Sequence, residues 1–188
     1  MVTTIVRCPW ARTPEYEAYH DTEWGVPLHG DDSLFERLAL EAFQSGLSWR
    51  TILYKRPAFR MAFAGFSISR VAEFDDDDVE RLLLDASIVR NRRKIEATIH
   101  NARVAAAMSE SLDDVMWSFA PRRAKLRPQN MDDVPAVTEE SSRMAKELKR
   151  RGFVFVGPTT AYALMQATGM VDDHVTDCFR ASAKPRSS

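Results

Sequence analysis

Cysteine is almost missing from this chain: Cys8 and Cys178, at opposite ends, are the only two. A disulfide framework is therefore excluded, and the fold must rest on a packed core. No apolar run approaches the roughly 20 residues of a membrane-spanning helix, and the N-terminal stretch has no apolar signal-peptide core, so the cytoplasm is the expected compartment. A charge excess is missing too. The 26 Lys and Arg against 27 Asp and Glu leave a formal net charge of −1, so no global field announces a polyanionic partner, and any nucleic-acid contact must come from local patches. No internal repeat or low-complexity domain occurs. What is there is ordinary: 188 residues, 45% hydrophobic and 28% charged, enough for one core or two small subdomains sharing a cleft. The expectation is a single domain over 1–180 followed by a disordered tail, 181–188.

The apolar periodicity is helical nearly throughout. From Asp32 to Gly46, Phe35, Leu38, Ala39, Ala42 and Phe43 share one stripe, with Ser33 and Glu36 spaced as a capping box and Gly46 as a stop. Ser48 is placed to cap a short helix through Lys55, and Pro57 to open another. Further helices are expected over Asp76–Ala86, Asn91–Met108, Thr138–Arg151, Pro158–Thr168 and around Asp172–Arg180. Between them lies a loop rich in Arg and Pro, from Pro121 to Pro135. Phe153 to Val156 alone has strand character, and with no partner strand it reads as an extended buried connector.

The scarce cysteines each stand near a histidine: Cys8 with His20, Cys178 with His174. Thiolate and imidazole together are the ligand mix that tetrahedral Zn²⁺ favours. If its segment is helical, the pair at 174 and 178 projects from one face; the pair at 8 and 20 needs a loop, across Pro9 and Pro14. The alternative is a buried free cysteine at each end and two hydrogen-bonded histidines, and spacing alone does not decide between them.

Two further constellations stand out. Arg90, Arg92, Arg93 and Lys94 follow the turn-like segment Asp85 to Val89 at the start of the Asn91 helix, an arrangement suited to holding a phosphate by turn amides, dipole and charge, against the alternative of a solvated basic face. A second basic run, Lys146, Lys149, Arg150 and Arg151, complements a helix C-terminus and is assigned no function. Trp10, Tyr16, Tyr19 and Trp24 crowd the first cysteine–histidine pair, and Trp49 follows the helix carrying Glu41. Glu41 lies beside an apolar stripe, where a carboxylate must find a partner or take up a proton. Stacked aromatic faces around one carboxylate suit a flat cationic ring.

The runs Tyr16-Glu17-Ala18-Tyr19-His20-Asp21-Thr22-Glu23-Trp24-Gly25-Val26-Pro27, Leu40-Glu41-Ala42-Phe43-Gln44-Ser45-Gly46-Leu47-Ser48-Trp49 and Arg151-Gly152-Phe153-Val154-Phe155-Val156-Gly157-Pro158-Thr159-Thr160, followed by Met165-Gln166 and Asp173-His174, closely resemble the type I 3-methyladenine DNA glycosylases, over roughly residues 7 to 180. The resemblance implies an all-α helix-hairpin-helix glycosylase fold, two helical subdomains flanking a cleft, with a structural zinc on Cys8, His20, His174 and Cys178 joining the chain ends. It implies a lesion pocket of Glu41, Tyr16, Tyr19 and Trp49 with Trp10 and Trp24 nearby, Glu41 and Tyr19 serving the chemistry. It places the hairpin at Asp85 to Arg90, and DNA contacts at Gly46, Leu47, Ser87, Arg90, Arg92, Arg93 and Lys94, with Leu47 filling the gap left by a flipped nucleotide. The implied partners are double-stranded DNA containing alkylated bases and the released 3-methyladenine, and the chain is expected to act as a monomer. Three residues depart from the family pattern: Ser87 and Ala42 stand where glycine is usual, and Asp172 where asparagine is. Two other classes compete, a nonenzymatic reader of alkylated DNA and a zinc hydrolase; four protein ligands would close the metal's coordination and disfavour the second.

Overall fold

The computed structural model describes residues 5–122 and 126–182, and the described residues are helical without a strand. Each helix has a local reason to start. Helix α1 (Pro14–Thr22) has Pro14 in its first turn and the Thr13 hydroxyl accepting from the Tyr16 amide, with Glu15 and Glu17 beside the positive end of the dipole. Helix α2 (Asp31–Gln44) opens without a side-chain cap, from Gly30 at φ 96°, a backbone angle that a Cβ would oppose. The expected Ser33–Glu36 capping box is therefore not used: the helix starts earlier, and Glu36 pairs instead with Arg60. Its acidic first turn reaches outward, Asp32 accepting from the Ile68 amide at 2.8 Å and Asp31 from Ser111 and the Asp113 amide.

Helix α3 (Trp49–Ala62) is capped by Ser48, as expected, but runs through Pro57 as one helix rather than two. Proline costs one backbone bond there, while Ile52, Leu53, Phe59 and Ala62, on both sides of it, stay buried. After α4 (Ile68–Ala72) and α5 (Asp76–Leu84), the latter with a reciprocal Asp75–Asp78 capping box, a tight turn leads to α6 (Arg92–Ala106), capped by Asn91. Helix α7 (Leu112–Trp117), capped by Ser111, was not legible in the periodicity because it is barely two turns long. Helices α8 (Glu139–Arg150) and α9 (Pro158–Ala167) pack against each other, and α9 against α2.

The connector at 153–156 is not the extended buried segment expected: it bends at Phe155, φ 57°, with Phe153 and Val156 buried and Val154 and Phe155 exposed. In place of a neighbouring strand it has Asn101 of α6, whose side-chain amide donates to the Val154 carbonyl at 3.0 Å and accepts from the Val154 amide at 2.8 Å. The helix expected over Asp172–Arg180 does not form. The segment is irregular until a 3₁₀ turn at Phe179–Ser182, because Asp172 turns the backbone early: its carboxylate accepts from the His174 amide at 3.2 Å. The rest of the expected tail, from 183, lies outside the described residues.

The buried apolar side chains form two clusters. The larger runs through α2, α3, α5, α6, α8 and α9, with Phe35, Phe43, Phe59, Phe63 and Phe66 at its centre. The smaller gathers Cys8, Tyr19, Trp24, Leu53, Val175 and Cys178 from the two chain ends. The ends also join through backbone, the Phe179 amide donating to the Val6 carbonyl at 2.9 Å.

Candidate active site and metal cluster

Where the small cluster meets α2, α3 and α9 there is an open cavity of about 450 Å³. All six residues expected at a pocket, Trp10, Tyr16, Tyr19, Trp24, Glu41 and Trp49, line it. The aromatic rings brace one another: Trp10 stands edge-on to Tyr16 at 5.7 Å and to Trp24 at 5.2 Å, and Tyr19 is 5.5 Å from Trp49. Interlocked rings hold their faces in place without ligand, so little ordering is left for binding. The Trp49 indole N–H is buried with no partner among the described residues.

Glu41 is 6% exposed and has no hydrogen-bond partner among the described residues. Burial pushes its carboxyl up to about 8, with Arg37, one turn away, acting in the opposite direction. The rise favours the protonated carboxyl in the empty pocket. Burial likewise pushes the Tyr19 hydroxyl well above its usual range, so Tyr19 can donate a hydrogen bond but is no base. Behind Tyr19 lies a charged cluster whose acid is fully paired, while Arg37 Nη1 is buried with no partner among the described residues. Glu23 accepts from Arg56 twice, at 2.6 and 2.7 Å, and from Arg37, and both guanidinium groups sit over the Tyr19 ring at 5.7 and 6.0 Å. Burial alone would raise Glu23, but the two arginines override it and hold the carboxyl at about 2.

The sequence did not single out the opposite wall. Met131, Val134 and Pro135 come from the loop rich in Arg and Pro, Ala136 from just after it, and Tyr162 and Gln166 from α9. Tyr162 and Gln166 both donate to Asp173, at 2.6 and 2.8 Å. Their spacing of four on a helix, with an acid just beyond its end, was the available signal.

At the chain ends, Cys8, His20 and Cys178 offer ligand atoms all within 4.8 Å of one another, and all three are buried. His20 Nδ1 lies 2.8 Å from Asp21, itself gripped by Arg7, which leaves Nε2 facing Cys178 Sγ at 3.3 Å. His174 stands beside this trio, its ring 4.9 Å from that of His20. Its Nδ1 is committed to Asp172 at 2.8 Å, and its buried Nε2 has no partner among the described residues. Gly25, at φ 73°, makes room for it: a Cβ there would fall 2.7 Å from His174 Cε1. The cluster thus forms without the helical spacing that the sequence suggested, through the Asp172 turn and the Cys178-to-Val175 backbone bond.

The remaining candidates lie on the surface. Gly46 and Leu47 occupy an exposed turn after α2, Leu47 at 41% exposure. Ser87 is exposed in the turn between α5 and α6, with no positive φ, so the Cβ that replaces glycine costs no backbone strain; the Asp85 carboxylate accepts from its amide at 2.8 Å. Arg90 and Arg93 are exposed, Arg93 lying over the Phe155 ring at 5.8 Å, whereas Arg92 pairs with Glu80. Lys94 departs from the expectation of a phosphate contact. It is 8% exposed and turned inward, its ammonium 2.8 Å from the Phe43 carbonyl and 2.5 Å from that of Ser45.

A sequence profile of the methyladenine glycosylase family matches residues 10–181. The chain is 44% identical over 177 residues to DNA-3-methyladenine glycosylase 1 of Escherichia coli, covering 92% of this chain and 95% of that protein. A solved structure of a 3-methyladenine DNA glycosylase I superposes with a TM-score of 0.89 at 46% identity, covering 93% of this chain and 98% of the other. That of the Staphylococcus aureus 3-methyladenine DNA glycosylase I, solved for its recognition of 3-methyladenine, superposes with a TM-score of 0.86 at 34% identity, covering 97% and 98%.

Proposed function

This chain belongs to the methyladenine glycosylase family, and from that membership we propose how it removes 3-methyladenine from alkylated DNA as a monofunctional N-glycosylase of base-excision repair. The observation that carries the reading is the unpaired, buried Glu41 carboxyl in a wall of interlocked aromatic rings. A 3-methylated adenine in DNA is cationic, so its bond to deoxyribose is weakened and the base departs neutral without prior protonation. The pocket takes up the flipped nucleotide, Trp49 and the tyrosines stack on the base, and Glu41, its proton lost to solvent as the cation enters, accepts hydrogen bonds from the base. Water oxygen then bonds to the sugar carbon as the N-glycosidic bond breaks. Its electron pair returns to the base, and the water's proton is released to solvent. No strong acid is required, which agrees with a site whose one buried carboxyl reads charge. A few contacts at about 1.36 kcal/mol per tenfold in rate are enough for so labile a bond.

In this reading α5, the 85–91 turn and α6 form the helix-hairpin-helix element that meets the DNA backbone, with Arg90 and Arg93 beside it, and Leu47 enters the duplex from the pocket's rim. One chain carries the whole pocket, so a monomer suffices. Cys8, His20 and Cys178, with the orphaned His174 Nε2 as fourth ligand, fit a zinc ion, which when bound would supply stability at the joined chain ends and no chemistry. Incubating the protein with methylated duplex DNA and identifying the released base tests the function. Free 3-methyladenine in a single turnover is the expected product; tight binding without release would leave a lesion reader. Elemental analysis should find one zinc per chain, lost in Cys178→Ala.

A further inference from the structure

Two lysines hold the 85–91 turn to the rest of the molecule. Lys55 of α3 donates to the carbonyls of Ala86 at 3.1 Å and Ser87 at 2.9 Å. Lys94, in the first turn of α6, donates to those of Phe43 and Ser45, at 2.8 and 2.5 Å. The second contact is the unusual one. An ammonium is a strongly hydrated point charge, and burying it is costly unless its donors are used. Desolvation lowers the affinity of Lys94 for its proton, yet the two carbonyls it meets are at the negative end of the α2 dipole, where a cation is favoured. A helix can be capped by its own next residues; here the cation comes from another helix, about 50 residues further along. The tie therefore spans two elements. One end is the turn proposed to meet the DNA backbone. The other is the C-terminal end of α2, three residues past Glu41, where the Ser45 turn carrying Gly46 and exposed Leu47 begins.

We propose that Lys94 is a positioning residue for nucleotide extrusion, a strut that fixes the Leu47 turn relative to the hairpin seated on the DNA backbone. This rests on the glycosylase reading above. Leu47 fills a duplex gap only if its turn stands at a set height above the phosphates that the hairpin holds, and Lys94 sets that height. Lys94 does not line the pocket where Glu41 and the aromatic rings recognise the base, and among the described residues its ammonium bonds only the Phe43 and Ser45 carbonyls.

The test compares the full chain with Lys94→Met and Lys94→Arg on two substrates: a duplex with the methylated adenine paired, and the same duplex with it unpaired in a one-base bulge, where extrusion costs less. In single turnovers at saturating DNA, Lys94→Met is expected to slow release from the paired duplex about 10- to 100-fold, the scale of loss from a misplaced positioning element. Release from the bulge should fall far less, and affinity for free 3-methyladenine should stay within about twofold of the parent's. Lys94→Arg, which keeps the charge, should recover part of the paired-duplex rate. In a Leu47→Ala background, Lys94→Met should add little further loss, because both act on one step. Equal losses on paired and bulged DNA, or full additivity with Leu47→Ala, would overturn the proposal. So would an unchanged paired-duplex rate. If Lys94→Met does not fold, the Lys94→Arg comparison and its cycle with Leu47→Ala decide the matter by the same two criteria. A parent that releases no base from either substrate would instead sink the glycosylase reading itself.

Discussion

Two carboxylates near Tyr19 live under opposite rules. Glu23, at the end of α1, is gripped by Arg56 and Arg37 and held at about 2; Glu41, one turn along α2 from the same Arg37, has no hydrogen-bond partner and is pushed up to about 8. Burial separates them in part, the Glu23 side chain being 28% exposed and Glu41 only 6%. Satisfaction separates them further. Glu23 has both oxygens paired within the fold, under the Tyr19 ring, while Glu41 faces a cavity without a partner, at a cost in stability that a ligand can offset. A half-buried acid with its hydrogen bonds filled is structure; a buried acid with none is a reading head.

The largest effect should come from breaking the satisfied side. Glu23→Ala leaves two largely buried guanidinium groups unpaired, a loss on the scale of about 3–5 kcal/mol for a buried pair broken on one side, and thermal melting should fall by many degrees. Glu23→Gln, which keeps the volume, should fall less. A melting temperature unchanged in Glu23→Ala would erase the contrast.

The unsatisfied side predicts the opposite sign. Because the folded-state proton affinity of Glu41 is raised above the unfolded value, the folded protein binds more protons in the window from about 4.5 to about 8. Stability from this group is greatest below that window and is lost as pH rises through it. Glu41→Gln removes the dependence, so the variant should melt above the parent at pH 8, by up to roughly 4 kcal/mol, and the gap should close by pH 4.5. A gap independent of pH would mean that Glu41 is ionised and solvated in the fold.

Smaller effects sharpen the pocket itself. Trp49→Ala removes a stacking face worth about 1–3 kcal/mol in base–aromatic contacts, so free 3-methyladenine should bind roughly 5- to 150-fold more weakly, with folding preserved. Smallest per residue is the surface term. Replacing Arg90 and Arg93 together should weaken binding of all DNA sequences alike and flatten the log–log salt dependence by about 2, roughly one per lost phosphate contact. A salt slope that does not move would return both to a solvated face.

The pocket's near wall was legible in the sequence because aromatic residues and a misplaced acid are conspicuous at short spacing: Tyr16 and Tyr19 three apart, Glu41 beside an apolar stripe. Its far wall was not. Met131 to Ala136 belong to a loop with no period to read, and Tyr162 and Gln166 look like two more positions of an amphipathic helix until Asp173 is seen to bind both. The cysteine–histidine pairs were legible as chemistry but not as geometry, since an Asx turn at Asp172 competes with the helix that spacing suggested. Lys94 illustrates the deeper limit. A basic cluster reads as one patch in sequence, yet Arg90 is exposed in the turn before α6, and helical geometry sends Arg93 to solvent and turns Lys94 in to the end of α2.

The most direct test of the unsatisfied carboxyl as the reading head is the ratio of 3-methyladenine to adenine released from methylated DNA by Glu41→Gln and by the parent, measured side by side at neutral pH on folded protein. The account predicts that the variant, though at least as stable, loses discrimination for the cationic lesion by about tenfold or more, the scale of one hydrogen bond to a charged group. A stable Glu41→Gln variant that releases 3-methyladenine with the parent's rate and selectivity would contradict it.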